Sequence, residues 1–72
     1  MTSEHPLRTL RHACGLSLRT ASAASGIPAG TIGDLESGRN RNPCVLTAVK
    51  LAETYGVTLE DIARYFVDRV IE

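Results

Sequence analysis

Between Gly15 and Gly38 the chain reads GLSLRTASAASGIPAGTIGDLESG, and its centre, Ser25-Gly26-Ile27-Pro28, has the chemistry of a tight turn between two helices. Ser25 closes one helical run, Gly26 supplies a left-handed residue and Pro28 opens the next run. Ser17 is a good N-cap for the first of these helices, Leu18 to Ser25, in which Ala21 and Ala24 are the expected buried positions. The second helix is expected from Ala29 to Glu36. Ile32 and Leu35, three apart, face inward, which leaves Ala29, Gly30, Gly33 and Asp34 outward. Helices this short are marginal alone and must be held by packing against their neighbours.

The flanking sequence supplies those neighbours. Pro6 suits the first turn of an opening helix, and Leu7, Leu10 and Cys14 form a one-sided apolar stripe with Arg8, Arg11 and His12 off it. Gly15 ends that helix, and Leu16 covers the core beside it. After Gly38 comes the polar, cationic stretch Arg39-Asn40-Arg41-Asn42. Asn42 as N-cap and Pro43 as first helical residue predict a fourth helix burying Val45, Leu46, Val49, Ala52 and Tyr55, and Gly56 ends it. Thr58, with Asp61 three residues on, marks a capping box for a fifth helix that adds Leu59, Ile62, Ala63 and Phe66 to the core. Tyr65, Phe66, Val67, Val70 and Ile71 carry apolar surface on more than one face. Residues 65–72 therefore read either as a dimerisation tail or as a segment folded back on its own core.

Seventy-two residues with 43% hydrophobic and 4% aromatic content make one all-α domain, 1–72, with an aliphatic core over about 6–66. The apolar runs are far shorter than the roughly 20 residues that span a membrane. No basic segment followed by an apolar run opens the chain, so a cytoplasmic protein is expected. Cys14 and Cys44 stand thirty positions apart, without zinc spacing, and read as free thiols, Cys14 as a small buried hydrophobe. No metal, cofactor or small-molecule ligand is expected. No base is paired with a nucleophile and no phosphate loop is present, so the reading is not an enzyme. His5 and His12 read as surface residues. Eight basic and eight acidic residues cancel, but unevenly. Residues 1–50 hold six Lys/Arg against three acids, a net +3, and residues 51–72 hold two against five, a net −3. Such a split suits orientation on a polyanion better than the net charge suggests.

Several of these signals occur together in one known family. Leu7-Arg8, Leu10-Arg11, Gly15-Leu16-Ser17, Ser25-Gly26-Ile27, Thr31-Ile32, Leu35-Glu36-Ser37-Gly38, Asn42-Pro43, Leu51-Ala52 and Tyr55-Gly56-Val57-Thr58-Leu59 follow in order. Over about Leu7 to Ile62 the chain resembles the Cro and lambda-repressor-like helix-turn-helix proteins, the xenobiotic-response-element type. The resemblance implies a compact five-helix lambda-repressor-like domain whose helices two and three form the helix-turn-helix. It also implies double-stranded DNA as partner, bound through the major groove, and commonly a homodimer on a two-fold operator. The expected setting is a bacterial or phage-infected cell.

Carried over position by position, the resemblance places Pro28, Ala29, Gly30, Thr31, Gly33 and Asp34 at the bases. Ala29 could touch a thymine methyl, Thr31 a phosphate or base edge, and Asp34 could accept from cytosine, but no Arg, Lys, Asn or Gln lies in this helix. Phosphate contacts fall to Ser17, Leu18 and Arg19 at the start of helix two and to Arg39, Asn40, Arg41 and Asn42 after helix three. The resemblance also suggests that Glu36 pairs with an Arg of helix one, Arg11 or Arg8, as a structural ion pair. The leading reading is a small transcription regulator such as a Cro-like or immunity repressor, or an antitoxin-like autoregulator. It would have strong salt dependence and few base contacts. The alternative is a protein-interaction module on the same scaffold, an antirepressor or regulator cofactor whose Ala/Gly surface meets a protein partner.

Overall fold

The computed structural model describes residues 5–66. They form five helices: α1 (Pro6–Ala13), α2 (Leu18–Ser25), α3 (Ala29–Ser37), α4 (Val45–Tyr55) and α5 (Leu59–Tyr65). Local chemistry sets most of the ends. His5 caps α1, its Nδ1 accepting the Leu7 N–H at 3.0 Å, with Pro6 next in line. Ser17 and Thr20 cap α2 reciprocally: Ser17 Oγ accepts from the Thr20 N–H at 3.1 Å, and Thr20 Oγ1 accepts from the Ser17 N–H at 2.8 Å. Thr58 and Asp61 form the capping box read from the sequence. α3 starts at Ala29 as the sequence predicts, with Pro28 as its N-cap at an extended ψ of 140°.

Gly26, at φ +77°, turns the chain from α2 toward α3. A Cβ built there would meet nothing within 4 Å, so a side chain is disfavoured by backbone conformation alone. Gly26→Ala is therefore expected to cost about 1–2 kcal/mol. For a domain of this size that is roughly 4–8 °C of melting temperature per kcal/mol. A thermal melt unchanged from the parent would contradict this.

Leu7, Ile32, Leu35, Leu51 and Ile62 are fully enclosed, so α1, α3, α4 and α5 each send at least one large aliphatic residue to a shared core. From α2 only Ala21 is buried, and its small side chain lets α2 press against α3 and α4. Ala24 is exposed, contrary to the sequence reading, because the inward face of α2 runs through Leu18, Ala21 and Ser25. The larger correction concerns α4. It begins at Val45 with Cys44 as N-cap, not at Pro43 after Asn42. The Asn42 N–H donates to Asn40 Oδ1 at 3.0 Å, a local turn that competes with helix initiation. The inward face is then Ala48, Leu51, Ala52 and Tyr55, and Val45 and Leu46 are left 74% and 62% exposed. In α5 only Ile62 is buried; Leu59 and Ala63 are exposed, since seven residues offer one central inward position. Cys14 is likewise exposed, lying just past the end of α1 with its Sγ 3.7 Å from the Tyr55 carbonyl oxygen.

Tyr55 itself is 5% exposed, and its hydroxyl has no hydrogen-bond partner among the described residues. Burial, reinforced by the nearby Glu36 carboxylate and opposed by Arg11, pushes the phenol up to about 12. An acid whose folded pKa lies above its unfolded value of about 10 contributes stability that is complete below pH 10 and lost as pH rises through 12. Tyr55→Phe should be neutral or stabilising at pH 7, because it removes a polar atom that has no partner. Its melting temperature should also fall less steeply than the parent's between pH 10 and 12. Parallel slopes for the two proteins would contradict the assignment.

Candidate nucleic-acid interface

Arg11 anchors α3 to α1. Its Nε donates to Glu36 Oε2 at 2.7 Å and its Nη2 to Glu36 Oε1 at 3.0 Å, a two-pronged pair in which both side chains are 7% exposed. Its Nη1 donates to the Leu16 carbonyl at 2.9 Å, so the same guanidinium also fixes the loop before α2. Arg11 is the buried charged residue among the described residues, where the sequence reading placed it off the inward stripe. The missed signal is its spacing: Arg11 lies one turn, four residues, beyond the fully buried Leu7. The pair and the carbonyl contact together set the angle at which α3 leaves the core.

The outward side of α3 is low and nearly bare. Pro28, Gly30 and Asp34 are exposed, and Ala29, Thr31 and Gly33 are half-buried. No side chain caps the amino end of α3, so its first-turn N–H groups lack an acceptor from the N-cap side chain. Neither Gly30 nor Gly33 has a left-handed backbone. An added Cβ at Gly30 would meet nothing within 4 Å, and one at Gly33 would reach Leu18 Cδ1 at an ordinary 3.9 Å. The fold requires glycine at neither place.

Two sets of polar groups adjoin this face. Leu18, half-buried, packs beside Gly33 and places the start of α2 next to the middle of α3. Ser17 Oγ is engaged in the cap, so what α2 presents there is the Leu18 and Arg19 N–H groups, which have no intrahelical acceptor, and the exposed Arg19 side chain. Beyond the far end of α3, the Asn40 N–H donates to the Asp34 carbonyl at 3.1 Å and the Arg39 N–H to Ser37 Oγ at 3.4 Å. With Asn40 Oδ1 holding the Asn42 N–H, these bonds give the loop a defined shape. Asn40 thus shapes the loop, and Arg39, Arg41 and Asn42 are exposed along it. Tyr65 and Phe66 are half-buried against the core, Phe66 with its ring 5.4 Å from that of His5. Val67, Val70 and Ile71 lie outside the described residues.

Comparison with known proteins bears on this arrangement directly. The helix-turn-helix family HTH_3 matches residues 7–62, from the first helix to the last. The chain belongs to the helix-turn-helix family. Members of this family are DNA-binding transcription regulators, and α2, the Gly26 turn and α3 are the helix-turn-helix of this one. The chain is 43% identical over 56 residues to the HTH-type transcriptional regulator DdrOP3 of Deinococcus deserti. That stretch is 78% of this chain but only 43% of the regulator's length. No solved structure matches. Among the described residues, no helix is long and apolar enough to cross a membrane.

Proposed function

We propose that this helix-turn-helix protein is a repressor that sets α3 into the major groove of a two-fold operator, one protomer of a homodimer on each half-site. The observation that supports this best is the placing of the bare α3 face between two phosphate-suited groups, the Leu18–Arg19 end of α2 and the Arg39–Asn42 loop. Phosphate contacts would fix position and supply affinity, and close approach of the Ala29–Gly30 backbone would bring the few readers into range. Ala29 meets a thymine methyl, Thr31 a base edge or phosphate, and Asp34 a cytosine amino group. With so few direct contacts, the rest of the selectivity comes from groove width and duplex deformability. Likeness to a transcriptional regulator from Deinococcus deserti supports the regulatory role.

A second reading is favoured by one observation, the absence of Arg, Lys, Asn and Gln from α3. On it, the same low surface docks a protein, and the chain acts as an antirepressor or as a cofactor of another regulator. Selection of bound sequences from a random DNA pool at about physiological salt separates the two. An enriched palindrome is the expected result. Retained weak binding without enrichment would overturn the operator reading in favour of the interaction module.

A further inference from the structure

The first turn of α1 is closed by an imidazole. His5 Nδ1 accepts the Leu7 N–H at 3.0 Å, and the His5 carbonyl oxygen accepts from the Arg8 and Thr9 N–H groups at 3.0 and 3.1 Å. Pro6 has no N–H, so the Leu7 donor is the first that the start of the helix leaves without an intrahelical acceptor. Ser, Thr, Asp and Asn are the usual residues at this place, and their oxygens accept at neutral and mildly acidic pH alike. Imidazole differs. Its Nδ1 offers a lone pair only in the neutral ring with the proton on Nε2, and the protonated ring donates at both nitrogens. The capping contact therefore requires the neutral form.

The same half-buried ring lies 5.4 Å from that of Phe66, tilted by 42°, and so joins the start of α1 to the end of α5. The first turn of α1 holds no acidic residue, and its nearest charge is Arg8. On the side of α5, Tyr65 adjoins Phe66, and the nearest charge is Arg64, 3.9 Å from Asp61. Glu4 and Asp68, which flank His5 and Phe66 in the sequence, lie outside the described residues. Protonation would remove the cap and put a positive charge at the positive end of the helix dipole. It would gain only a cation–π attraction to Phe66.

We infer that His5 is a pH-sensitive cap, which closes the first turn of α1 as a neutral ring and opens it on protonation. The cap acts whether or not α3 meets DNA. Leu7, whose N–H it holds, is fully enclosed in the core, so uncapping reaches the packing of α1. Stability is complete above the range in which imidazoles titrate, about 6.5, and falls as pH drops through it.

Thermal melts of the parent, His5→Asn and His5→Ala at about pH 8 and about pH 5 test this, with the Leu7 amide followed by NMR over the same range. At the higher pH the parent should melt roughly 4–8 °C above His5→Ala, the usual effect of an N-cap in a domain of this size. At the lower pH that gap should shrink to less than half. The gap between His5→Asn and His5→Ala should persist, because asparagine caps in both conditions. His12 is common to all three proteins and cancels from the comparison. The Leu7 amide proton should shift as the His5 ring titrates and exchange faster in acid. A gap between parent and His5→Ala that stays constant on acidification would overturn the assignment. So would a gap that grows, as a carboxylate paired with the charged ring would make it. A Leu7 amide unmoved while the His5 ring titrates would overturn it as well.

Discussion

Arg11→Met should lower stability by about 3–5 kcal/mol, the usual cost of breaking a buried ion pair from one side. A domain of this size has roughly 0.05–0.15 kcal/mol of stability per residue, so the loss is a large share of the whole. Glu36 would lose both of its hydrogen bonds from Arg11, and the Leu16 carbonyl would lose a donor. Because Arg11 joins α1, the loop before α2 and the end of α3, the damage should not stay local. Arg11→Lys keeps the charge but not the fork, and should fall in between. The informative control is Arg11→Met with Glu36→Leu, which removes both charges and should recover much of the loss. Urea denaturation of the four proteins decides it. A single variant as stable as the parent, or a double variant no better than the single, would contradict the role given to this pair.

The second large effect is on DNA affinity. Replacing both Arg39 and Arg41 by Ala should reduce the slope of log affinity against log salt by about two, close to 0.9 for each phosphate no longer neutralised. Binding at moderate salt should fall correspondingly. Stability should move little, about 0.5 kcal/mol or less, as is usual for exposed positions. The bonds of Ser37, Asn40 and Asn42 shape the loop. Asn40→Ala makes the complementary case. It should loosen the loop and weaken binding with no change in slope, because no cation is removed. An unchanged slope in the double arginine variant would exclude this loop from the DNA interface.

Much of the fold is legible in the sequence because short-range chemistry dictates it. Ser17, Gly26, Thr58 with Asp61, and Gly56 each act within a few residues, and the structure shows each at the end the sequence reading gives it. Errors arise where two local signals compete or where a long side chain bridges elements. Asn42-Pro43 reads as a helix start, but Asn40 captures the Asn42 N–H, and the two-residue shift turns Val45 and Leu46 from core to surface. Arg11 falls off the apolar stripe of α1, and only the resemblance, not the residues around it, points to its pairing with Glu36, 25 residues away on another helix. The stretch facing outward from α3 can be located, but its chemistry is hard to read from residue types, since glycine and alanine act through the space they leave.

The central claim is that α3 and the two segments beside it form the DNA-contacting surface. Backbone amide chemical shifts, followed as a selected duplex is added to the isotopically labelled protein, test it most directly. The largest changes are expected at Ala29–Asp34, at Leu18 and Arg19, and over Arg39–Asn42, with Glu60 to Ala63 on α5 nearly unmoved. Changes concentrated on α5, with α3 unaffected by saturating duplex, would contradict it.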